Sequence, residues 1–143
     1  MCKVLIAVES EVMRTAIRRT MEKENNINIV GEASTFAETR QKIVDLKPDV
    51  LLLDLHLPEK WALAPALVKA QLGTVCTLAT SLFNDTEAKA LAQSYGAATL
   101  LDKMTLYTDI IPAIRRYQPK LQNIQQRPWR GVFFLRQESW LRY

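Results

Sequence analysis

The chain has 143 residues, the size of one domain, and a composition of 48% hydrophobic and 24% charged residues with four Gly and six Pro, which excludes disordered and fibrous classes. No stretch approaches the roughly 18 to 20 consecutive apolar residues of a membrane span. Charge also enters the N-terminal MCKVLIAVESE too early for a secretory signal, so a cytoplasmic protein away from membranes is expected. The net charge of +4 lies entirely at the C-terminal end: residues 1–118 carry 14 Lys plus Arg against 14 Asp plus Glu. A neutral body with a short basic tail argues against a nucleic-acid domain, which needs a basic stripe on a folded face. Cys2 and Cys76 sit in apolar runs without CxxC spacing or a paired His, which excludes a zinc finger and a disulfide scaffold.

In chain order, Cys2–Val8 is a nearly continuous apolar run and predicts a buried strand. Ser10–Lys23 follows with helical period, Ser10 as N-cap and Val12, Met13, Ala16, Ile17, Thr20 and Met21 on one face. Ile27–Ala33 alternates like a strand, and Thr35–Leu46 is helical. Asp49–Asp54 (DVLLLD) and Thr74–Thr80 (TVCTLAT) read as buried strands, as does the short Ala98–Leu101. Helices are expected over Trp61–Gln71, over Asn84–Tyr95 with Asn84 or Asp85 as cap, and over Thr108–Tyr117. Pro112 is placed in the first turn of that last helix, where its missing amide is tolerated, and Gly96 supplies a left-handed C-terminal cap. Five βα units in so short a chain predict one doubly wound, five-stranded parallel sheet with helices on both faces. Residues 1–118 form this domain, and 119–143 form a basic, aromatic-rich tail.

Ligands of such sheets bind beyond the carboxyl ends of the strands. The residues falling there are Glu9, Asp54, Ser81 and Lys103, with Val8 beside Glu9. A carboxylate pair suits Mg²⁺, which takes oxygen ligands and keeps several waters. Asp54 beside the ion could attack a phosphoryl group whose oxygens Ser81 and Lys103 would stabilise.

These residues stand in VLIAVESEVMRTAIRR, VGEA, PDVLLLDLHLP and YGAATLLDK, and over about residues 3–117 the chain resembles the receiver domains of bacterial two-component response regulators. LDLHLP, with a proline four residues after Asp54, together with Lys103 seven residues after Gly96, is the specific part of the match. VGEA, LDLHLP and LLDKM look most like the branch that usually continues into a helix-turn-helix DNA-binding domain. The resemblance implies a flavodoxin-like fold and a phosphorelay protein, not an enzyme in the usual sense. It implies Asp54 as phospho-acceptor, Glu9, Asp54 and the backbone carbonyl of His56 as Mg²⁺ ligands, Ser81 as switch hydroxyl and Lys103 as phosphoryl-binding cation. The implied partner is a histidine kinase or phosphotransfer protein, with a homodimer left open.

The chain departs from the family at three places. Val8 stands where the first of two adjacent acids is usual, Leu100 replaces an aromatic switch residue, and Ala62, after Trp61, replaces a glycine. These departures support an alternative, a phosphorylation-independent pseudo-receiver acting as an interaction or dimerisation module. Glu11 is a candidate replacement carboxylate. A flavodoxin-like ligand binder fits less well, because VESEVM has no glycine to cradle a phosphate. The His56 side chain is expected in solvent, Trp61 against the third helix, and Tyr95 and Tyr107 at the core edge. The tail holds Trp129, Phe133, Phe134, Trp140 and Tyr143 but no helix-turn-helix, so specific duplex DNA binding by this chain is not expected. It reads as a docking segment, a partner-binding segment or the remnant of a longer chain.

Overall fold

Strands and helices alternate strictly through the residues that the computed structural model describes, 1–58 and 64–117. The strands are β1 (Cys2–Ala7), β2 (Ile27–Ala33), β3 (Val50–Asp54), β4 (Cys76–Ser81) and β5 (Thr99–Asp102). All neighbours pair in parallel, in the order β2-β1-β3-β4-β5. The helices are α1 (Glu11–Glu22), α2 (Phe36–Leu46), α3 (Pro65–Leu72), α4 (Thr86–Ser94) and α5 (Leu106–Tyr117). The chain moves outward from β1 to β2, then returns past β1 to β3 and beyond. The carboxyl ends of β1 and β3 therefore flank the crevice where this topology places ligands.

The near-continuous apolar run of β1 follows from burial on both faces. Val4, Ile6 and Val8 join Ile17, Met21, Ile110 and Ile114 in a core beneath α1 and α5, whereas Leu5 and Ala7 join Val68, Leu72 and Leu100 in a second core. Period-two geometry alone divides the strand between the two layers. Each fully buried Leu or Ile contributes roughly 1.5–3 kcal/mol against exposure. Gly31 serves the second layer: a Cβ there would lie 2.9 Å from Leu46 Cδ1, so any side chain would push the tip of Leu46 aside where α2 meets β2.

Helix starts follow local chemistry. Ser10 Oγ accepts the Met13 amide, Thr35 Oγ1 that of Glu38, and Asp85 Oδ1 that of Ala88 at 2.9 Å. Gly96 adopts φ +80°, the expected left-handed cap after α4.

Several boundaries and faces differ from expectation. α3 begins at Pro65, after an extended Ala64, because the residue before proline avoids helical geometry and proline suits a first turn. Residues 59–63, with Trp61 and Ala62, lie outside the described residues, as do 118–143 with the aromatic tail. α5 begins at Leu106 behind a 3₁₀ turn over Lys103–Thr105, so Pro112 is interior rather than in the first turn. Pro112 and Thr108, whose carbonyl loses its helical partner, are both exposed, and water can take the missing bond's place. Val12 is 80% exposed and leaves the buried face to Ile17 and Met21. Tyr95 is buried, and burial pushes its phenol pKa up, but Tyr107 is 43% exposed rather than at the core edge. Neither Cys2 nor Cys76 is in a disulfide, and no described helix is long and apolar enough to cross a membrane.

Candidate functional site

Asp54 closes β3 and is only 3% exposed, so an ionised carboxylate there needs partners. It has two. The Lys103 ammonium, from the 3₁₀ turn after β5, sits 2.8 Å from Oδ2, and the His56 amide donates to Oδ1 at 2.9 Å. Both members of the pair are largely out of water, at 11% and 4% side-chain exposure. A carboxylate oxygen has two acceptor sites, so each oxygen keeps capacity for a further contact.

The loop after Asp54 is set by backbone bonds: Leu57 N to Asp54 O at 3.1 Å and Leu55 N to Thr80 O at 2.9 Å. Thr80 Oγ1 in turn donates to Leu101 O at 3.0 Å. Ser81, at the end of β4, is buried and makes two contacts. Its Oγ accepts the Phe83 amide at 3.0 Å and lies 3.3 Å from His56 Nε2. The His56 ring, although exposed, is thus not simply solvated; it also meets Phe83 edge to face, with centroids 5.8 Å apart.

Glu9 follows β1 with an exposed side chain, while Val8 is fully buried in the α1/α5 core. The loop is anchored by Arg14, whose guanidinium donates to the carbonyls of Val8 at 2.6 Å and Glu9 at 2.8 Å and pairs with Glu32 at 3.2 Å. Arg14 and the His56–Ser81–Phe83 group were not anticipated. The available signals were a cationic residue on the buried side of α1 and an aromatic two residues after Ser81.

Glu9, Asp54 and the His56 carbonyl are hard oxygen donors, right in kind for Mg²⁺. Among the described residues, however, no three His, Cys, Asp or Glu side chains gather as a metal-binding group, and Glu11 does not complete one. In kind, two carboxylates and a carbonyl make a minimal donor set for the ion, one that would need phosphoryl oxygens and water for the rest.

No family model matches the chain. Curated relatives include the oxygen regulatory protein NreC of Staphylococcus aureus, 31% identical over 87 residues, which are 59% of this chain and 40% of the relative. The chain thus spans well under half the length of the curated relatives it matches. Among solved structures, the signal receiver domain of the putative response regulator NarL from Mycobacterium tuberculosis is 27% identical with a TM-score of 0.70, over 79% of this chain and 92% of that one. The response regulator domain of Thermotoga maritima CheB has the same fold at 20% identity and a TM-score of 0.70, over 82% and 96%.

Proposed function

We propose that this chain, which is a response-regulator receiver domain of the two-component type, accepts a phosphoryl group on Asp54 from a phosphohistidine of a kinase or phosphotransfer protein. The observation that carries the reading is the buried Asp54–Lys103 pair at the carboxyl end of β3. An Asp54 oxygen attacks phosphorus, a P–O bond forms as the P–N bond breaks, and the departing imidazole nitrogen takes a proton from water. Lys103 holds the carboxylate before transfer and has two further N–H groups for the phosphoryl oxygens. The His56 amide, donating to Oδ1, restrains the rotamer of Asp54. Ser81 supplies a hydroxyl to a phosphoryl oxygen once it turns from His56. Glu9, Asp54 and the His56 carbonyl would hold Mg²⁺, which would supply charge neutralisation on the phosphoryl oxygens. Signalling by protein contact in the cytoplasm, without specific duplex DNA binding by this chain, completes the reading.

Incubation with a small phosphodonor and Mg²⁺ should add one phosphoryl group by intact mass, and Asp54→Asn should abolish it. A second reading, the phosphorylation-independent interaction module, is favoured by Val8 lying in the core where a ligand acid would serve. An unmodified mass under conditions that load an ordinary receiver decides for that module.

A further inference from the structure

The ladders on either side of β1 end at Ala7, which pairs with Ala33 on β2 and Leu53 on β3. Beyond it the Val8 amide still donates to Ala33 O at 3.1 Å, but the carbonyls of Val8 and Glu9 lie past the last paired position and take their donor from elsewhere. Arg14 is that donor. It is the fourth residue of α1, and helical side chains lean toward the helix N-terminus, so its stem passes back over the first turn to the loop five and six residues behind it. Nη1 donates to both carbonyls, and Nε holds Glu32 Oε1 at 3.2 Å. Only 15% of the Arg14 side chain is exposed, a burial that a guanidinium tolerates because these three acceptors face it. Glu32 on β2 is shared with Arg18 from the next turn of α1, which keeps the carboxylate turned toward the helix. The β1–α1 loop is thus fixed by β2 through the Val8 amide, by the Ser10 cap, and by Arg14 on two consecutive carbonyls. These bonds hold the backbone of Glu9 while its side chain stays exposed.

We propose that Arg14 is a positioning residue for Mg²⁺: by clamping the carbonyls of Val8 and Glu9 against Glu32, it fixes the backbone that carries the Glu9 carboxylate and offsets in part the acid missing at position 8. This rests on the reading of Glu9 as a Mg²⁺ ligand. With Val8 in the core, Glu9 and Asp54 are the two carboxylates of the donor set, so little affinity is to spare for ordering a loose loop when the ion binds. A loop ordered in advance removes that cost. Arginine suits the task better than lysine, because its planar fork spans two carbonyls and a carboxylate at once, whereas an ammonium is a point donor. The clamp acts through order rather than charge, since a cation beside the loop would by itself repel the ion.

Calorimetric titration of the full chain with Mg²⁺ alone, at a temperature where circular dichroism shows each variant folded, reads the dissociation constant. Glu9→Gln removes the ligand and sets the scale. Arg14→Lys keeps the charge but loses the fork, and should weaken Mg²⁺ on the order of tenfold, the usual cost of losing a group that orients a ligand. In the Glu9→Gln background the same change should have no further effect, because the clamp acts through Glu9. Unchanged affinity in Arg14→Lys, with Glu9→Gln weakened, overturns the clamp and leaves Glu9 as a ligand. An equal loss from Arg14→Lys with and without the Glu9 carboxylate overturns it too, since the effect then runs by another route. Should Arg14→Lys fail to fold, Arg14→Gln decides: charge alone would tighten Mg²⁺ there, so weaker binding supports the clamp and equal or tighter binding overturns it. Unchanged affinity in Glu9→Gln, or a parent chain that binds no Mg²⁺, overturns the ligand reading and the positioning role with it.

Discussion

At Asp54 and Lys103 two charges share a space nearly free of water, and the pair holds because each satisfies the other. Lys103→Met should strand a buried carboxylate and cost on the order of 3 kcal/mol near neutral pH, whereas adding Asp54→Asn should restore most of the loss. Denaturant midpoints of the four proteins in this cycle check it, and equal losses in the single and double variants would show that packing of the lysine stem is the cause. Val8 poses the opposite problem, an apolar side chain fully buried beside the crevice. Val8→Asp should lower the melting temperature without Mg²⁺, because it puts a charge in the core, and should enlarge the rise that Mg²⁺ produces, because binding to the native state stabilises it. Thermal scans over a Mg²⁺ series separate the two effects. An equal response in parent and variant would place the ion away from position 8. At this scale residue types at strand ends were legible, since Asp54 and Lys103 do meet, but the direction of the Ser81 hydroxyl was not, because a rotamer depends on neighbours remote in sequence.

Helix ends show what an element contributes on its own. Glu38, at the third position of α2, accepts from the Ser34 hydroxyl and amide at 2.7 and 3.1 Å. The hydroxyl bond first, then the amide bond, hold its pKa below the ordinary 4.5. A depressed carboxylate stabilises the fold above its unfolded pKa, and that contribution fades as pH falls through the folded value. Glu38→Gln should therefore lower the melting temperature at neutral pH by a few degrees at most, given its exposure, and the gap should narrow as pH falls below the ordinary 4.5. Circular-dichroism melts across that range test the sign. Gly96 offers a steric counterpart: at φ +80° a Cβ is strained, and Lys69 methylenes stand 3.3 Å away. Gly96→Ala should cost about 1 kcal/mol in urea with an unchanged slope. A changed slope would mean that the substitution alters more than a cap. Caps and glycine turns were legible because they depend on a few adjacent residues. The start of α5 was not: the 3₁₀ turn over Lys103–Thr105 carries the chain into helix two residues earlier than the position of Pro112 implied.

For the whole molecule, both cores are built from described residues between Cys2 and Tyr117, which is buried at the end of α5. A chain ending at residue 118 should thus unfold in one cooperative step with a melting temperature within a few degrees of the full chain. Sedimentation of the two should differ if the aromatic tail mediates self-association, and a loss of cooperative unfolding would mean that the tail completes a core. The sequence by itself determined the βα alternation, the parallel sheet and the set of residues at its carboxyl ends, because hydrophobic period and strand-end position are local properties that survive any packing. Only the tertiary structure decided that Val8 belongs to the α1/α5 core, that Arg14 anchors the loop bearing Glu9, and that Ser81 faces His56 and Phe83. Those outcomes depend on contacts between elements far apart in the chain, where close packing and the single hydrogen of a hydroxyl select one partner among several of similar chemistry.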